Sequence, residues 1–330
     1  MENKPICYVP EREIPEVMSG VPSFLGLPVI KEDADIAKAD FVFGGVPWEG
    51  VNTYGGFTGC EVSPKRIREA STRYGAYLPE FDIDVFDHFV GADIGDFAMR
   101  NGDEEFSFNS MREGIKRILD HDKMPVLFGG DHSISYPLIS EFAKKYNGKI
   151  GVIHFDAHMD NMEHYGGEKY ARCSPFYNLY GDANVDPKNM VHYGIHGPRN
   201  NPAGLKTARD AGATVITGLE VKTEGWKESI QRAIDIASDG TDAVYVTVCS
   251  DVLDIAFNPA GPPDMMGLSS FELGMALHEV GKQANVRAMD FVELYPGKDP
   301  HNTSGHVAAW MTIYLLAGIT LRKVEQDNQS

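Results

Sequence analysis

The strongest constraint on this chain is a repeated change of hydrophobic period. From about residue 40, short apolar runs alternate with amphipathic stretches. "DFVFGGVP" (40–47) reads as a buried strand, and "SPKRIREAST" (63–72) as a helix with Ser63 at its N-cap and Pro64 at the first helical position. "SMREGIKRILDHD" (110–122) has a helical period; "MPVLFGGD" (124–131) is β-like and stops at paired glycines; "SISYPLISEFAKKY" (133–146) returns to helix. The same reading gives strands at 149–155, 189–197, 213–217, 242–248 and 286–294, with helices near 202–211 and at 226–238, 269–284 and 303–321. Strands alternating with helices predict an α/β fold, a mainly parallel sheet wrapped on both faces. No linker-like stretch interrupts it, so a single domain over 1–330 is expected, with an N-terminal extension to about residue 38 and a frayed polar tail from about 322.

Lys plus Arg number 30 against 48 Asp plus Glu, a net charge of −18. So acidic a surface argues against nucleic acid and anionic lipid as partners and mildly favours small cationic ligands. The start lacks the basic and apolar segments of a secretory signal, and no run approaches the roughly 20 apolar residues of a membrane span. Cys7, Cys60, Cys173 and Cys249 are too few and too scattered for a disulfide scaffold. A cytoplasmic, reducing compartment and no membrane association are the expectation.

In parallel α/β sheets ligands bind beyond the carboxyl ends of the strands, and polar residues gather there. Asp131 and His132 follow one strand; Asp156, His158 and Asp160 follow the next; Cys249, Asp251 and Asp254 follow a third; Glu293 ends a fourth. Residues two apart on extended chain face the same side, so Asp156, His158 and Asp160 can converge. Carboxylates with imidazoles suit Mn, Ni, Fe or Zn. A pair of such ions makes water a nucleophile near neutral pH. His154, on the strand before these ligands, is expected to pack or hydrogen-bond.

These motifs resemble the ureohydrolases, the family of arginases, agmatinases and related guanidino-compound hydrolases. "GGDHS" (129–133), "DAHMD" (156–160), "TVCSDVLDI" (247–255) and "VE" (292–293) stand in the family's order. "SGVPSFLGLP" (19–28) and "GVPWEGVNTYGG" (45–56), followed by "SPKRIREAS", look more like agmatinases than arginases. The resemblance, over about residues 19–321, implies a three-layer α/β/α domain assembled as a homo-trimer or hexamer, possibly with a homologous partner subunit. It implies two divalent ions, usually manganese, with nickel in some members. By position, His132 and Asp160 would hold one ion, His158 and Asp251 the other, and Asp156 would bridge. Asp160 and Glu293 are then the catalytic candidates, with Glu293 pairing with the guanidinium of a small cationic substrate. Trp48 and Tyr54 are candidates to line the pocket; Glu163, with His164 and Glu168, is either the contact for a cationic tail or ordinary solvated loop polarity.

The sequence departs from the family at several points. The first Asp of the SxDxD segment aligns with Cys249, whose softer thiolate would favour nickel or zinc over manganese as a bridge. The family's His-Gly segment, whose histidine is proposed to shuttle protons, is replaced by Arg172-Cys173, and a guanidinium cannot exchange a proton at neutral pH. Ile255 replaces a proline, and the loop 258–268 is shorter than its family counterpart. Two functions remain open: metal-dependent hydrolysis of a guanidino C–N bond that releases urea or a urea-like product, or a non-catalytic homologue with impaired metal binding.

Overall fold

The computed structural model describes residue 5 and residues 22–51, 53 and 58–329; Cys7 and Tyr54, and parts of the segments 19–28 and 45–56, lie outside them. Its strands are β1 (Phe41–Val46), β2 (Tyr77–Leu78), β3 (Ile83–Asp84), β4 (Gly91–Asp96), β5 (Met124–Gly129), β6 (Ile150–Phe155), β7 (Met190–Ile195), β8 (Thr214–Thr217), β9 (Ala243–Cys249) and β10 (Val286–Val292). Eight form one sheet in the order β4-β1-β5-β10-β9-β6-β7-β8, with every neighbouring pair parallel. β2 and β3 make a separate antiparallel pair.

Alternation of side chains across each strand feeds two cores. Val126, Phe128, Phe155, Val246 and Phe291 enter one, against the helices Trp226–Ser238, Ser270–Gln283 and Thr303–Asp327. Leu127, Val152, Tyr245 and Ala288 enter the other, against the helices Glu104–Leu119 and Ser135–Lys145. Each fully buried Leu, Ile or Phe contributes about 1.5–3 kcal/mol, and strands covered on both sides show the near-continuous apolar runs seen in the sequence. This is the three-layer α/β/α architecture.

After β5 the chain resumes at β6, on the far side of a gap that β9 and β10 later fill. That reversal sets the carboxyl ends of β5, β10, β9 and β6 side by side. Their register is level: Phe128 pairs with Phe291, Val292 with Cys249, and Val248 with Phe155. Residues just past these strands therefore emerge at one rim.

Several expectations need correction. Ser63 is already inside its helix, because a turn of 3-10 helix over Cys60–Val62 precedes it, and its Oγ donates to Leu294 O at 3.2 Å. The helix expected from residue 110 begins at Glu104, where the Asp103 carboxylate accepts from Phe106 N at 3.0 Å. The edge strand β4 escaped the reading because "GADIGD" carries no apolar alternation. Residues 22–38 are no appended arm: Phe24, Leu25 and Leu27 are core, and Val29 bridges to Asp93 of β4. The tail expected to fray is helical to Asp327, held by Arg322 Nη1 on Ala284 O (2.6 Å) and by the Lys282–Glu325 pair (3.0 Å).

The helix Thr303–Asp327 is long and apolar enough to cross a membrane, yet 56% of its apolar window is buried inside the protein. It crosses the helix Ser270–Gln283 so closely that a methyl at Gly318 would lie 2.0 Å from His278 O, and one at Gly281 2.3 Å from Leu315 O. Neither backbone can yield without moving a helix. Gly318→Val is therefore expected to destabilise the fold by about 1–3 kcal/mol or more through overpacking, read as a lowered midpoint in urea unfolding.

Candidate metal centre

At the rim, two groups of donor atoms lie within 4.8 Å of one another, His132–His154–Asp156 and Asp156–His158–Asp251, and they share Asp156. His132 Nδ1 is 2.9 Å from Asp156 Oδ2 and 3.0 Å from Asp160 Oδ2. His158 Nδ1 is 3.1 Å from Asp251 Oδ2 and 3.4 Å from Asp156 Oδ1. Asp156 and His132 are wholly buried. Asp160 adopts φ +40° and Glu293 φ +63°, a sparsely populated backbone region for such residues that clusters at functional sites.

The surroundings orient these groups. Asp290, buried at the end of β10, accepts from Tyr245 OH (2.8 Å), Ser135 Oγ (3.0 Å) and Thr247 Oγ1 (2.6 Å). Thr247 spends its only proton on Asp290, so its oxygen accepts from His132 Nε2 at 3.1 Å. The Nδ1 lone pair of a neutral His132 is thereby aimed into the site. A second chain runs from Tyr180 OH to His192 Nε2 (2.6 Å), from His192 Nδ1 to His154 Nδ1 (2.7 Å), and from His154 Nε2 to Asp156 Oδ2 (2.8 Å). Burial holds His154 down to about 4 and His192 well below its ordinary value, so both are neutral and each passes one proton towards Asp156. His154 thus hydrogen-bonds, as its position on the strand suggested, and orients a carboxylate as second-layer partners of metal ligands do.

The residues fit a divalent pair. His132 Nδ1 is buried without a hydrogen-bond partner among the described residues, although carboxylate oxygens approach it to 2.9 and 3.0 Å; His158 turns Nδ1 to Asp251 and Asp156, and Nε2 to Asp264 at 3.5 Å. Donor atoms that converge without hydrogen-bond geometry match what a cation between them requires. Burial opposes the charged imidazoles, but Asp156 and Asp160 raise His132, and Asp251, Asp156 and Asp264 raise His158, so protons hold the positive charge that metal would otherwise supply. Cys249 is buried and lines the same cavity as His158, Asp160 and Asp251, but it belongs to neither close group. Burial, then Asp156 and Asp251, push its thiol well up, so it stays protonated with no cation beside it.

The cavity is about 210 Å³ and includes Arg172, Cys173, Arg199, Glu293 and Tyr295 in its wall. Glu293 does not stand open to a ligand. Its Oε1 accepts from His132 N at 2.9 Å, and its Oε2 pairs with Arg172 Nη1 at 3.0 Å. Burial pushes its carboxyl up to about 7 even with the Arg172 guanidinium pulling it down. Glu163 is exposed and outside the cavity wall, because the loop after Asp160 carries it to the surface, where His164 is exposed too. Trp48 is also outside that wall: it is a core residue, edge-on to Phe108 with ring centroids 6.2 Å apart. Sequence reasoning missed Asp264 and Arg199, paired with each other beside His158. It also missed Glu49, which sits on Arg172 at 3.0 Å. Glu49 lies within the quoted segment 45–56, but nothing in the sequence pairs it with Arg172; Asp264 and Arg199 belong to no quoted motif, and only the fold brings the three in.

The profile of the Arginase family matches residues 39–318. Formimidoylglutamase of Halalkalibacterium halodurans is 30% identical over 310 residues, covering 88% of this chain and 95% of that protein. Agmatinase of Bacillus subtilis is 31% identical over 288 residues, covering 85% and 92%. The crystal structure of a hypothetical agmatinase from Burkholderia thailandensis superposes with a TM-score of 0.82 at 28% identity, covering 93% of each chain. With the family profile spanning most of its length and relatives at 30% identity or more covered almost end to end, the chain belongs to the arginase family.

Proposed function

We propose that the protein is a metal-dependent hydrolase of a C–N bond in a small guanidino or related amidine compound. The observation that carries this reading is Asp156 shared between His132 and His158, each with a second carboxylate, Asp160 and Asp251, close by. In this reading His132, Asp156, His158, Asp160 and Asp251 hold two divalent ions, with Cys249 at the remaining position. When bound, such a pair supplies a water acidified to near-neutral pKa as nucleophile. The chain's own residues do the rest: the His154–His192–Tyr180 relay fixes Asp156, and Asp160 faces the cavity and takes up and returns a proton. The proposed close donors are three carboxylates and two imidazoles; the imidazoles also suit nickel, and the carboxylate majority suits manganese. The agmatinase and formimidoylglutamase relatives support the hydrolase reading.

One observation favours a second reading, a homologue with little or no turnover: Arg172 stands at the proposed proton-shuttle position and sits on Glu293. Metal analysis and a scan of guanidino and amidine compounds separate the two. The hydrolase reading expects near two equivalents of manganese per chain and amine release; two equivalents with no turnover on any compound would favour the second. Thr247→Val frees the His132 ring from Asp290 and is expected to weaken manganese binding about 10–100-fold, measured by competition with a fluorescent chelator. Cys249→Asp is expected to raise manganese occupancy, and unchanged occupancy would remove residue 249 from the proposed ligand set.

A further inference from the structure

The family assignment leaves the role of Arg172 unexplained. Its side chain is 5% exposed and its guanidinium lies among three carboxylates. Nη1 contacts Glu293 Oε2 at 3.0 Å and Tyr295 OH at 3.4 Å; Nη2 contacts Glu49 Oε1 at 3.0 Å and lies 3.7 Å from Asp131 Oδ2; Nε donates to Val51 O at 3.4 Å. Each carboxylate is held independently of Arg172. Glu49 Oε2 accepts from Gly59 N and Cys60 N, both at 3.2 Å; Asp131 accepts from Gly50 N at 2.6 Å and Ser133 N at 2.9 Å; Glu293 accepts from His132 N at 2.9 Å. The cage is therefore built by backbone N–H groups, with a planar cation fitted into it, and it opens on the cavity that His158, Asp160 and Asp251 line.

We propose that Arg172 is a built-in guanidinium occupying the carboxylate cradle of Glu293, Glu49 and Asp131, so that the chain excludes guanidinium groups from that cradle and shortening residue 172 creates a guanidinium-binding site. The inference rests on the hydrolase reading for its meaning, since it narrows the substrate to an amidine that makes no Glu293 pair. Chemistry supports exclusion over titration: a guanidinium keeps its charge at any physiological pH, and the fork matches two carboxylates at once, which few other cations do. Displacement by substrate would have to break all of these contacts together.

The test uses the full chain and free guanidinium, with methylguanidinium as a second probe and sodium chloride at equal ionic strength as control. Arg172→Ala is expected to be less stable than wild type and to recover with millimolar guanidinium, its melting temperature rising by about 2 °C at roughly ten times Kd. Calorimetry on wild type is expected to give no binding. Arg172→Ala/Glu293→Gln is expected to lose at least tenfold in guanidinium affinity relative to Arg172→Ala. Wild-type binding of a guanidino compound that Glu293→Gln abolishes would overturn the proposal, because Arg172 would then be a mobile side chain. So would an Arg172→Ala protein that responds equally to sodium and guanidinium. If Arg172→Ala does not fold, the wild-type calorimetry decides alone. Metal content reports separately on the hydrolase reading: none of the three cradle carboxylates is among the proposed ligands, so absence of metal would sink that reading and leave the guanidinium result standing.

Discussion

Asp156 is the contact on which the site depends. A wholly buried carboxylate would ordinarily be neutral, since burial disfavours charge. Here His154, His132 and His158 outweigh burial and hold it well below the usual carboxylate range. Its Oδ1 accepts from His158 N at 2.6 Å, and its Oδ2 is shared by His154 and His132. Only a sheet in which β5, β10, β9 and β6 end side by side can deliver those three imidazoles to one anion. The topology and the electrostatics are thus one constraint seen at two scales.

A few ångströms along the rim the signs reverse, and one cation serves three anions. The two halves of the site meet at His132, whose backbone N–H binds Glu293 and whose ring faces Asp156. Glu293 follows β10 directly, and its left-handed backbone turns its carboxylate back onto the His132 amide. The strain is held by Glu293 N on Gly130 O (3.0 Å) and by Ser250 Oγ on Glu293 O (2.6 Å). Backbone contacts of this kind make both halves rigid before any ligand arrives.

Much of this was legible in the sequence, because the informative residues sit where a periodic run stops. The apolar runs gave seven of the eight main-sheet strands; β4 was lost because its glycines and acids mask the period. That His132, Asp156, His158, Asp160 and Asp251 converge was legible because each lies within a few residues of a strand end. Glu49, Asp264 and Arg199 were not: Glu49 and Arg199 also follow strand ends, but their partners Arg172 and Asp264 come from distant loops that only tertiary contacts place. Trp48 and Glu163 were misplaced for the same reason: an aromatic residue near a strand end looks like a pocket wall until Phe108 is seen to claim it. The role of Arg172 was half legible. Its substitution for a histidine is visible in the sequence, but the partner that makes it matter, Glu49, is 123 residues away.

The segment that precedes β1 has a consequence of its own. Asp93 N donates to Pro28 O (2.9 Å) and Ile30 N to Asp93 O (2.8 Å), while the Asp93 carboxylate takes Phe24 N (2.8 Å) and the Arg68 guanidinium. This strap lies along the outer side of β4, which would otherwise present a bare row of amides and carbonyls, the template on which sheets from different molecules join. A chain cut to begin at residue 39, where the family profile starts, would keep every residue of the proposed metal site and lose its protection against self-association, precipitating for reasons unrelated to catalysis.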